Sequence, residues 1–515
     1  MINYLMMPYL GLYYRRFQKA SRNNNIQYKL LENIIRKNRD TLFGREHNFH
    51  NISSYNDLVK RIPLSSYDYY SDYISRICRG EQQVLTTDKV KLMEPTSGTI
   101  SGTKLIPYTS SLQSDFKRGI YPWLYDLYRN TPPLLRGKAY WSLSPATENN
   151  YDCSVPVGFL HDSEYLGFIG RFIERGMAVP SSVSSISDND LWKLMTCAYL
   201  VSSEDLSFIS VWNPQFLTLI LEHIKSNGIE IIKFIEDSDD IMLSEKRLSL
   251  LKNELQSNTP DFRSLWPHLH IISCWTEGYA SLSVNPLNDM LPFADIQPKG
   301  LIATEAFVSF PLTGYGNVLS VLSHFFEFMD NDGNVFTADK ISQGNIYSVI
   351  ITSSGGLYRY NLGDRVRVSG FYNQLPILEF IGRNNNVLDF FGEKLEEEFI
   401  FSTVHDIILK HFSTGFIAFL PCFEGAFHYR LYIGSNDNIP TGKLACAVDK
   451  ALSGNYHYNH ARQLGQIDQI KISHSSSVSY TRLYIDYMQS KGIKKGDIKP
   501  IIITDDRTLY KAFEV

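Results

Sequence analysis

A chain of 515 residues is too long for one ordinary hydrophobic core and points to roughly two to four folded units. Its 43% hydrophobic and 20% charged content, with 30 Phe and 32 Tyr, excludes a disordered polymer and leaves ample material for apolar pockets. Fifty basic against 54 acidic residues give a formal charge of -4, which excludes a global attraction for phosphate backbones or anionic lipid. Neither nucleic acid nor membrane is therefore an expected partner.

From Met1 to Tyr14 the chain is apolar in patches, but Pro8 and Gly11 interrupt it and it is far shorter than the ~20 residues that span a bilayer. With no cleavage site behind it, the stretch predicts a first helix packed on the body of a cytoplasmic enzyme. The first ninety residues read mainly helical, as a lid or support layer: Tyr28-Lys-Leu-Leu-Glu-Asn-Ile-Ile-Arg36 and Ser65 to Ile77 place apolar positions three and four apart. From Lys89 to Leu301 apolar runs alternate with amphipathic stretches such as Phe216 to Ile224, and His268 to Cys274 alternates as a strand does, which favours an α/β sheet. Ser181 to Ser187 reads as a surface loop.

Between Gly344 and Phe380 the texture changes to short strands, Ile346 to Thr352, Arg365 to Phe371 and Ile377 to Ile381, separated by Gly or Asn turns. At Arg383-Asn-Asn-Asn386 the chain turns polar, and beyond it a helix is predicted from Glu396 to His411. These features predict an α/β protein. A large N-terminal domain with a β-rich subregion covers 1–382, a hinge covers 383–394, and a small mobile α+β domain covers 395–515. The six cysteines, Cys78, Cys153, Cys197, Cys274, Cys422 and Cys446, lie far apart with no C-x-x-C pair and read as reduced, mostly buried thiols.

Three segments could carry chemistry. In Glu94-Pro-Thr-Ser-Gly-Thr-Ile-Ser-Gly-Thr-Lys104, small residues let backbone N–H groups converge on phosphate oxygens, and Lys104 adds positive charge. Its glycines do not match the G-x-x-x-x-G-K-[ST] loop, and composition alone is equally consistent with a flexible linker. Gly300-Leu-Ile-Ala-Thr-Glu305 is a strand-like run ending in a carboxylate that could face Mg²⁺ on a triphosphate, although a solvated cap is the commoner role of a lone Glu. Gly355-Gly-Leu-Tyr-Arg-Tyr-Asn-Leu-Gly-Asp364, followed by Leu378-Glu-Phe-Ile-Gly-Arg383 and Gly392-Glu-Lys394, offers an Asp suited to vicinal ribose hydroxyls and an Arg suited to phosphate.

In this order the motifs resemble the adenylate-forming superfamily of acyl-CoA ligases, peptide-synthetase adenylation domains and luciferases. More closely they resemble the Gretchen Hagen 3 family, the auxin-responsive acyl-acid amido synthetases, in its bacterial-type form. The tokens that carry this likeness are Thr41-Leu-Phe-Gly44, Arg61-Ile-Pro-Leu-Ser-Ser-Tyr67, the Lys104-Leu-Ile-Pro-Tyr-Thr extension, Ile272-Ser-Cys-Trp275, Ala303-Thr-Glu305, Tyr358-Arg-Tyr-Asn-Leu-Gly-Asp364 and Ala461-Arg-Gln-Leu-Gly465. The resemblance implies adenylate-forming architecture with ATP and Mg²⁺ as cofactors. Ser97, Gly98, Thr99 and Lys104 would lie at the phosphates, Ala303, Thr304 and Glu305 at the adenylate with Glu305 on Mg²⁺, and Tyr360 and Asp364 at the nucleoside. Arg383 would sit at the start of the hinge, and Lys394, at its end, and Lys499, in the small domain, are the candidate catalytic lysines. Ile100 departs from the superfamily, which usually has a hydroxyl residue there.

For the acyl group the expected wall is Phe116, Trp123 and Tyr125, in a cluster with Tyr128 on the helix after the phosphate loop, helped by Trp275; core packing is the commoner role of such aromatics. The resemblance implies attack of a carboxylic acid on ATP, then transfer of the acyl group to an amine, an amino acid by family expectation. A thioester ligase using coenzyme A or a carrier protein is the alternative acceptor reading, and a non-catalytic nucleotide or small-acid binding protein is the alternative from another class. A monomer is expected, with a dimer left open.

Overall fold

The arrangement of these elements comes from a computed structural model that describes residues 2–23, 25–96, 104–141, 152–158, 176–186, 188–257, 259–383, 387–491, 493, 495, 498–499, 501–504, 506 and 508–514. Strands are numbered in chain order. β1 (Val90–Pro95) and β2 (Leu105–Thr109) form an antiparallel hairpin. β3 (Lys138–Trp141), β4 (Leu206–Ser210), β5 (Ile271–Cys274) and β6 (Asp295–Pro298) form a parallel sheet in that spatial order. Every residue of β4 and β5 is buried, as expected of a parallel sheet covered on both faces, and this accounts for the near-continuous apolar runs.

β7 (Ser309–Leu312), β8 (Gly316–Leu319), β9 (Phe325–Met329), β10 (Val335–Thr337), β11 (Ile346–Thr352), β12 (Tyr360–Tyr372) and β13 (Leu375–Arg383) build a seven-stranded antiparallel sheet ordered β10-β9-β11-β12-β13-β8-β7. The helical N-terminal region supports this sheet: Leu31, Ile34, Phe43, Leu58 and Ile74 share one core with Phe326, Val349, Ile351 and Val366. The first helix, Ile2–Ala20, retains Pro8 within it and packs on the helix Ser110–Asn130. No helix among the described residues is long and apolar enough to cross a membrane.

After β13 come a short hairpin, β14 (Val387–Leu388) with β15 (Leu395–Glu396), and a three-stranded sheet of β16 (Thr414–Cys422), β17 (His428–Ser435) and β18 (Asp468–Ser475). This C-terminal unit docks on the start of the helix Pro214–Ser226, directly after β4. The Asn213 amide donates to the Ile498 carbonyl at 3.0 Å, and the Gln215 amide donates to the Gly415 carbonyl at 3.0 Å. On the antiparallel sheet, the Arg365 guanidinium pairs with Glu398 at 2.7 Å.

Several sequence expectations are corrected. Gly300 to Glu305 is not a strand: the backbone closes a tight loop in which Ala303 and Ala306 exchange N–H···O bonds of 2.9 and 3.2 Å. The helix expected from Glu396 to His411 is α-helical over Glu397–Val404 and continues as a π-helical turn, His405–Leu409. Ser181–Ser185 is a 3-10 turn whose Val183 and Ser184 are buried, rather than a wholly surface loop. Cys78 and Cys153, expected as thiols, form a disulfide. The Ser154 N–H bonds to the Cys78 carbonyl at 2.8 Å, so tertiary folding aligns two segments 75 residues apart that no sequence spacing connects. Cys197, Cys274 and Cys422 are buried free thiols, and Cys446 is exposed.

The segment ahead of β12 is fixed by a buried ion pair. Arg359, 4% exposed, donates Nε and Nη2 to the fully buried Glu327 of β9 at 2.9 to 3.1 Å and Nη1 to the Ile62 carbonyl at 2.9 Å. Tyr55 donates to the same carboxylate at 2.7 Å. Removing one partner of a buried pair strands the other charge and costs about 3–5 kcal/mol. Glu327→Ala is accordingly expected to lower the thermal unfolding midpoint of the large domain by several degrees, read by calorimetry; an unchanged midpoint would show that the pair does not hold this strand.

Candidate functional site

The hairpin of β1 and β2 brings the two ends of the Thr96 to Lys104 segment side by side, with Pro95 opposite Leu105 and the Thr96 N–H bonded to the Lys104 carbonyl at 2.8 Å. Ser97, Gly98 and Thr99, together with Ile100, lie outside the described residues. Lys104 extends its ammonium over the Tyr67 ring, 5.7 Å from the centroid, and the Tyr67 hydroxyl accepts the Leu105 N–H at 2.8 Å. Thr109 then caps the helix Ser110–Asn130 by accepting the Leu112 N–H at 3.1 Å.

The loop closed by Ala303 and Ala306 carries Thr304 and Glu305 at its tip. Glu305 is 9% exposed and accepts a hydrogen bond from the Tyr360 hydroxyl at 3.3 Å. Burial first, and then the Glu305 charge, push the Tyr360 phenol far above its ordinary range, so the phenol remains the donor. Ser65 forms a parallel bridge with Tyr360 and its carbonyl accepts the Asn361 N–H at 2.9 Å, so the Arg61 to Tyr67 segment packs against the Tyr358 to Asp364 motif.

From Asp364 onward β12 alternates, so Asp364, Val366 and Val368 are buried. The antiparallel register sets Asp364 opposite Arg383, and Arg383 Nε donates to Asp364 Oδ1 at 2.8 Å. The Asp364 charge raises the Arg383 pKa, and Glu305 adds to that effect, so the two carboxylates and the guanidinium share one electrostatic neighbourhood. Lys104, Glu305, Tyr360, Asp364 and Arg383 are thus gathered from four separate stretches of chain into one cluster around Tyr67 and Tyr360.

The aromatics divide. Trp123, 2% exposed, donates its indole N–H to Gln297 of β6 at 3.1 Å and lies beside Lys299. The buried Lys299 ammonium is 4.9 Å from the Trp212 ring centroid and 5.6 Å from that of Trp123, and donates to Ser210 Oγ at 2.6 Å. Trp275 packs on Trp212 with centroids 5.7 Å apart. Trp141, Trp212, Trp275 and Lys299 all stand at or just beyond the carboxyl ends of β3 to β6, the edge where open α/β sheets bind ligands. Phe116 packs against Phe307 and His324, while Tyr125 turns the other way, onto Tyr14 of the first helix. Tyr128 is a core residue of the same helix.

Lys394 and Lys499 belong to the C-terminal unit. Glu393 is fully buried and accepts the Phe390 and Phe391 N–H groups and the Tyr429 hydroxyl, which leaves the adjacent Lys394 exposed. The Lys499 carbonyl accepts from Tyr484 at 2.9 Å, and its neighbour Ile498 is bonded to Asn213, one residue from Trp212. Sequence reasoning missed Tyr67, Trp212, Gln297 and Lys299. The signal available was a lysine placed directly after a short strand, Asp295-Ile-Gln-Pro-Lys299.

The architecture is that of the adenylate-forming enzymes. Residues 14–295 match the GH3 family N-terminal domain and residues 317–383 match the GH3 family central domain, so the chain belongs to the GH3 family. It is similar to the probable indole-3-acetic acid-amido synthetase GH3.11 of Oryza sativa subsp. japonica, at 25% identity over 73% of this chain and 72% of that protein. Indole-3-acetic acid-amido synthetase GH3.3 of Arabidopsis thaliana is 22% identical over 94% of this chain and 90% of its own length. Among solved structures, the AtGH3.15 acyl acid amido synthetase in complex with 2,4-DB superposes with a TM-score of 0.85 at 18% identity, covering 98% of this chain and 96% of that one. A 2-hydroxyisobutyryl-CoA ligase in the postadenylation state shares the fold more distantly, with a TM-score of 0.52 at 10% identity over 96% of this chain and 92% of that one.

If the cluster receives a nucleotide, Asp364→Ala is expected to weaken ATP binding by about tenfold or more, roughly 1.4 kcal/mol, with circular dichroism unchanged. Titration calorimetry that returned the parent affinity would remove Asp364 from the nucleoside site.

Proposed function

We infer that this chain is an ATP-dependent acyl acid amido synthetase, which adenylates a carboxylic acid and conjugates the acyl group to an amino acid. The observation that carries this reading is the gathering of Lys104, Glu305, Tyr360, Asp364 and Arg383 into one cluster in a chain of the GH3 family. The relatives named for indole-3-acetic acid, and the solved relative holding 2,4-DB, support an acyl acid as substrate.

In the first half-reaction a carboxylate oxygen attacks the α-phosphorus of ATP, an acyl–phosphate bond forms, and pyrophosphate leaves. Negative charge grows at phosphorus and on the leaving group, so positioning and fixed positive charge carry the catalysis. Lys104 and the backbone donors of Ser97, Gly98 and Thr99 are assigned to the phosphates. Asp364 is assigned to the ribose hydroxyls: Arg383 occupies Oδ1, and the second oxygen can accept from a hydroxyl. Tyr360 and the Ala303 to Glu305 loop are assigned to the adenylate.

Glu305 fits a role toward Mg²⁺. No group of three or more His, Cys, Asp or Glu able to hold a metal occurs among the described residues, and Mg²⁺ takes one or two protein oxygens with phosphate and water as the rest of its shell. Bound there with the nucleotide, it would neutralise phosphate charge. The acyl group is assigned to the aromatic edge at Trp123 and Trp275; Phe116 and Tyr125, on the helix of Trp123, pack instead on Phe307 with His324 and on Tyr14.

In the second half-reaction the neutral amine attacks the acyl carbon and AMP leaves. Residues 383–394 are assigned as the hinge between the domain 1–382 and the mobile domain 395–515, whose movement would admit the amine and exclude water from the mixed anhydride. Lys394 and Lys499 are the lysines that this movement would bring to bear. The position of Lys499, beside the segment bonded to Asn213, supports its assignment to the reacting carboxylate.

A screen of carboxylic acids for AMP release, with amino acids, coenzyme A and hydroxylamine as acceptors, tests the reading, and product mass identifies the acceptor. An amide to an amino acid is expected. A thioester with no amide would overturn the amido assignment, and release of neither AMP nor pyrophosphate from any acid would overturn adenylation. In the same assay Lys499→Ala is expected to slow adenylate formation more than about tenfold, or ~1.4 kcal/mol of barrier. A parental rate would take Lys499 out of the first half-reaction.

A further inference from the structure

Three elements of the nucleotide cluster come from distant parts of the chain: the helix after the phosphate hairpin, the Thr304–Glu305 loop and the turn that leads into Tyr360 and Asp364. One buried pair outside the cluster touches all three. Asp115, on the helix Ser110–Asn130, is fully buried. Its Oδ1 accepts from Arg118 Nη1 at 3.0 Å and from Ser354 Oγ at 3.2 Å, and its Oδ2 accepts the Ser354 N–H at 3.1 Å. Ser354 lies in the turn six residues before Tyr360.

Asp115 Oδ2 also faces His324 Nδ1 at 3.7 Å, and His324 is fully buried. On the far side of the ring, Nε2 accepts the Phe307 N–H at 3.0 Å. An N–H pointed at Nε2 requires that atom to be unprotonated, so the imidazole is neutral and its proton sits on Nδ1, toward the carboxylate. Burial acts in the same direction, lowering the His324 pKa to about 3. The Phe307 ring in turn seats on Gly119 of the Asp115 helix, where a Cβ would fall 2.2 Å from it. Phe116 and Phe326 meet the imidazole edge-on at about 6 Å, which holds the ring plane.

We propose that Asp115 and His324 are a positioning pair that locks the phosphate-hairpin helix, the Thr304–Glu305 loop and the Asp364 strand into the spacing that ATP requires. Neither residue belongs to the cluster of Lys104, Glu305, Tyr360, Asp364 and Arg383. Asp115 fixes the Ser354 turn, and His324 fixes the backbone of Phe307, two residues from Glu305. The pair therefore acts through Tyr360, Asp364 and Glu305, and the inference rests on the assignment of that cluster to ATP.

The test uses the full-length enzyme and steady-state pyrophosphate release, with ATP and the acid varied separately. His324→Phe preserves aromatic volume and removes both ring nitrogens. His324→Gln keeps an acceptor for the Phe307 N–H and a donor for Asp115. Asp115→Asn turns an amide NH2 toward a site where Arg118 Nη1, Ser354 Oγ and the Ser354 N–H all donate and the His324 Nδ1–H faces it.

The expected result is a rise in the ATP KM of at least tenfold for His324→Phe and Asp115→Asn, an acid KM within about twofold of the parent, and recovery of most of the ATP KM in His324→Gln. If His324→Phe does not fold, Asp115→Asn against His324→Gln supplies the same comparison. An unchanged ATP KM in His324→Phe or Asp115→Asn, or a parallel rise in both KM values without rescue by glutamine, would overturn the pair. Asp364→Ala separates the two readings: if it abolishes ATP binding while the pair variants leave the ATP KM unchanged, only the positioning pair fails. If it leaves ATP binding intact, the nucleotide assignment fails first.

Discussion

The contact between Arg359 and Glu327 is the constraint on which the rest of the site depends. Two opposite charges removed from water are tolerated only when each is fully satisfied, and here the guanidinium spans the carboxylate and the Ile62 carbonyl while Tyr55 completes the carboxylate. That requirement leaves Arg359 one seat, between β9 and the N-terminal helical layer. The neighbouring residues follow: the Tyr358 hydroxyl is taken up by the Leu85 carbonyl and its ring stacks on Phe43, while Tyr360 turns toward Glu305. A strand anchored in this way can present Asp364 to Arg383 without settling into another register.

The two sheets divide the chemistry. The antiparallel sheet, through β12 and β13, supplies Tyr360, Asp364 and Arg383, while the parallel sheet ends in a row of tryptophans around Lys299. Residues 299 to 308 pass from one sheet to the other, so Lys299 stands in the aromatic edge and Glu305 in the cluster with Tyr360, six residues apart. A short covalent link between an aromatic compartment and a charged one suits a reaction that joins an acid to a nucleotide and must hold both within bonding distance. Among the described residues the C-terminal unit meets the large body through Asn213, Gln215 and Ser283 beside the parallel edge, through Gln489 with Asn189 and Lys495 over Trp192, and through Arg365 with Glu398 beside the antiparallel sheet.

Composition and periodicity were enough to establish an α/β chain with a β-rich central region, because strand alternation and helical spacing are local properties. Ile346 to Thr352 is β11 to the residue, and the strands expected at Arg365 to Phe371 and Ile377 to Ile381 lie within β12 and β13. The order of the motifs also carried the resemblance that implied the class of reaction. What only the tertiary structure decided are the pairings between segments that sequence does not link. The Cys78–Cys153 bond, the Arg359–Glu327 pair, the ring of Tyr67 beneath Lys104 and the Lys299 ammonium among tryptophans each join residues distant in the chain. Side-chain type announces what a residue can do. Desolvation and register, which exist only once the chain is folded, decide which of its possible partners it meets.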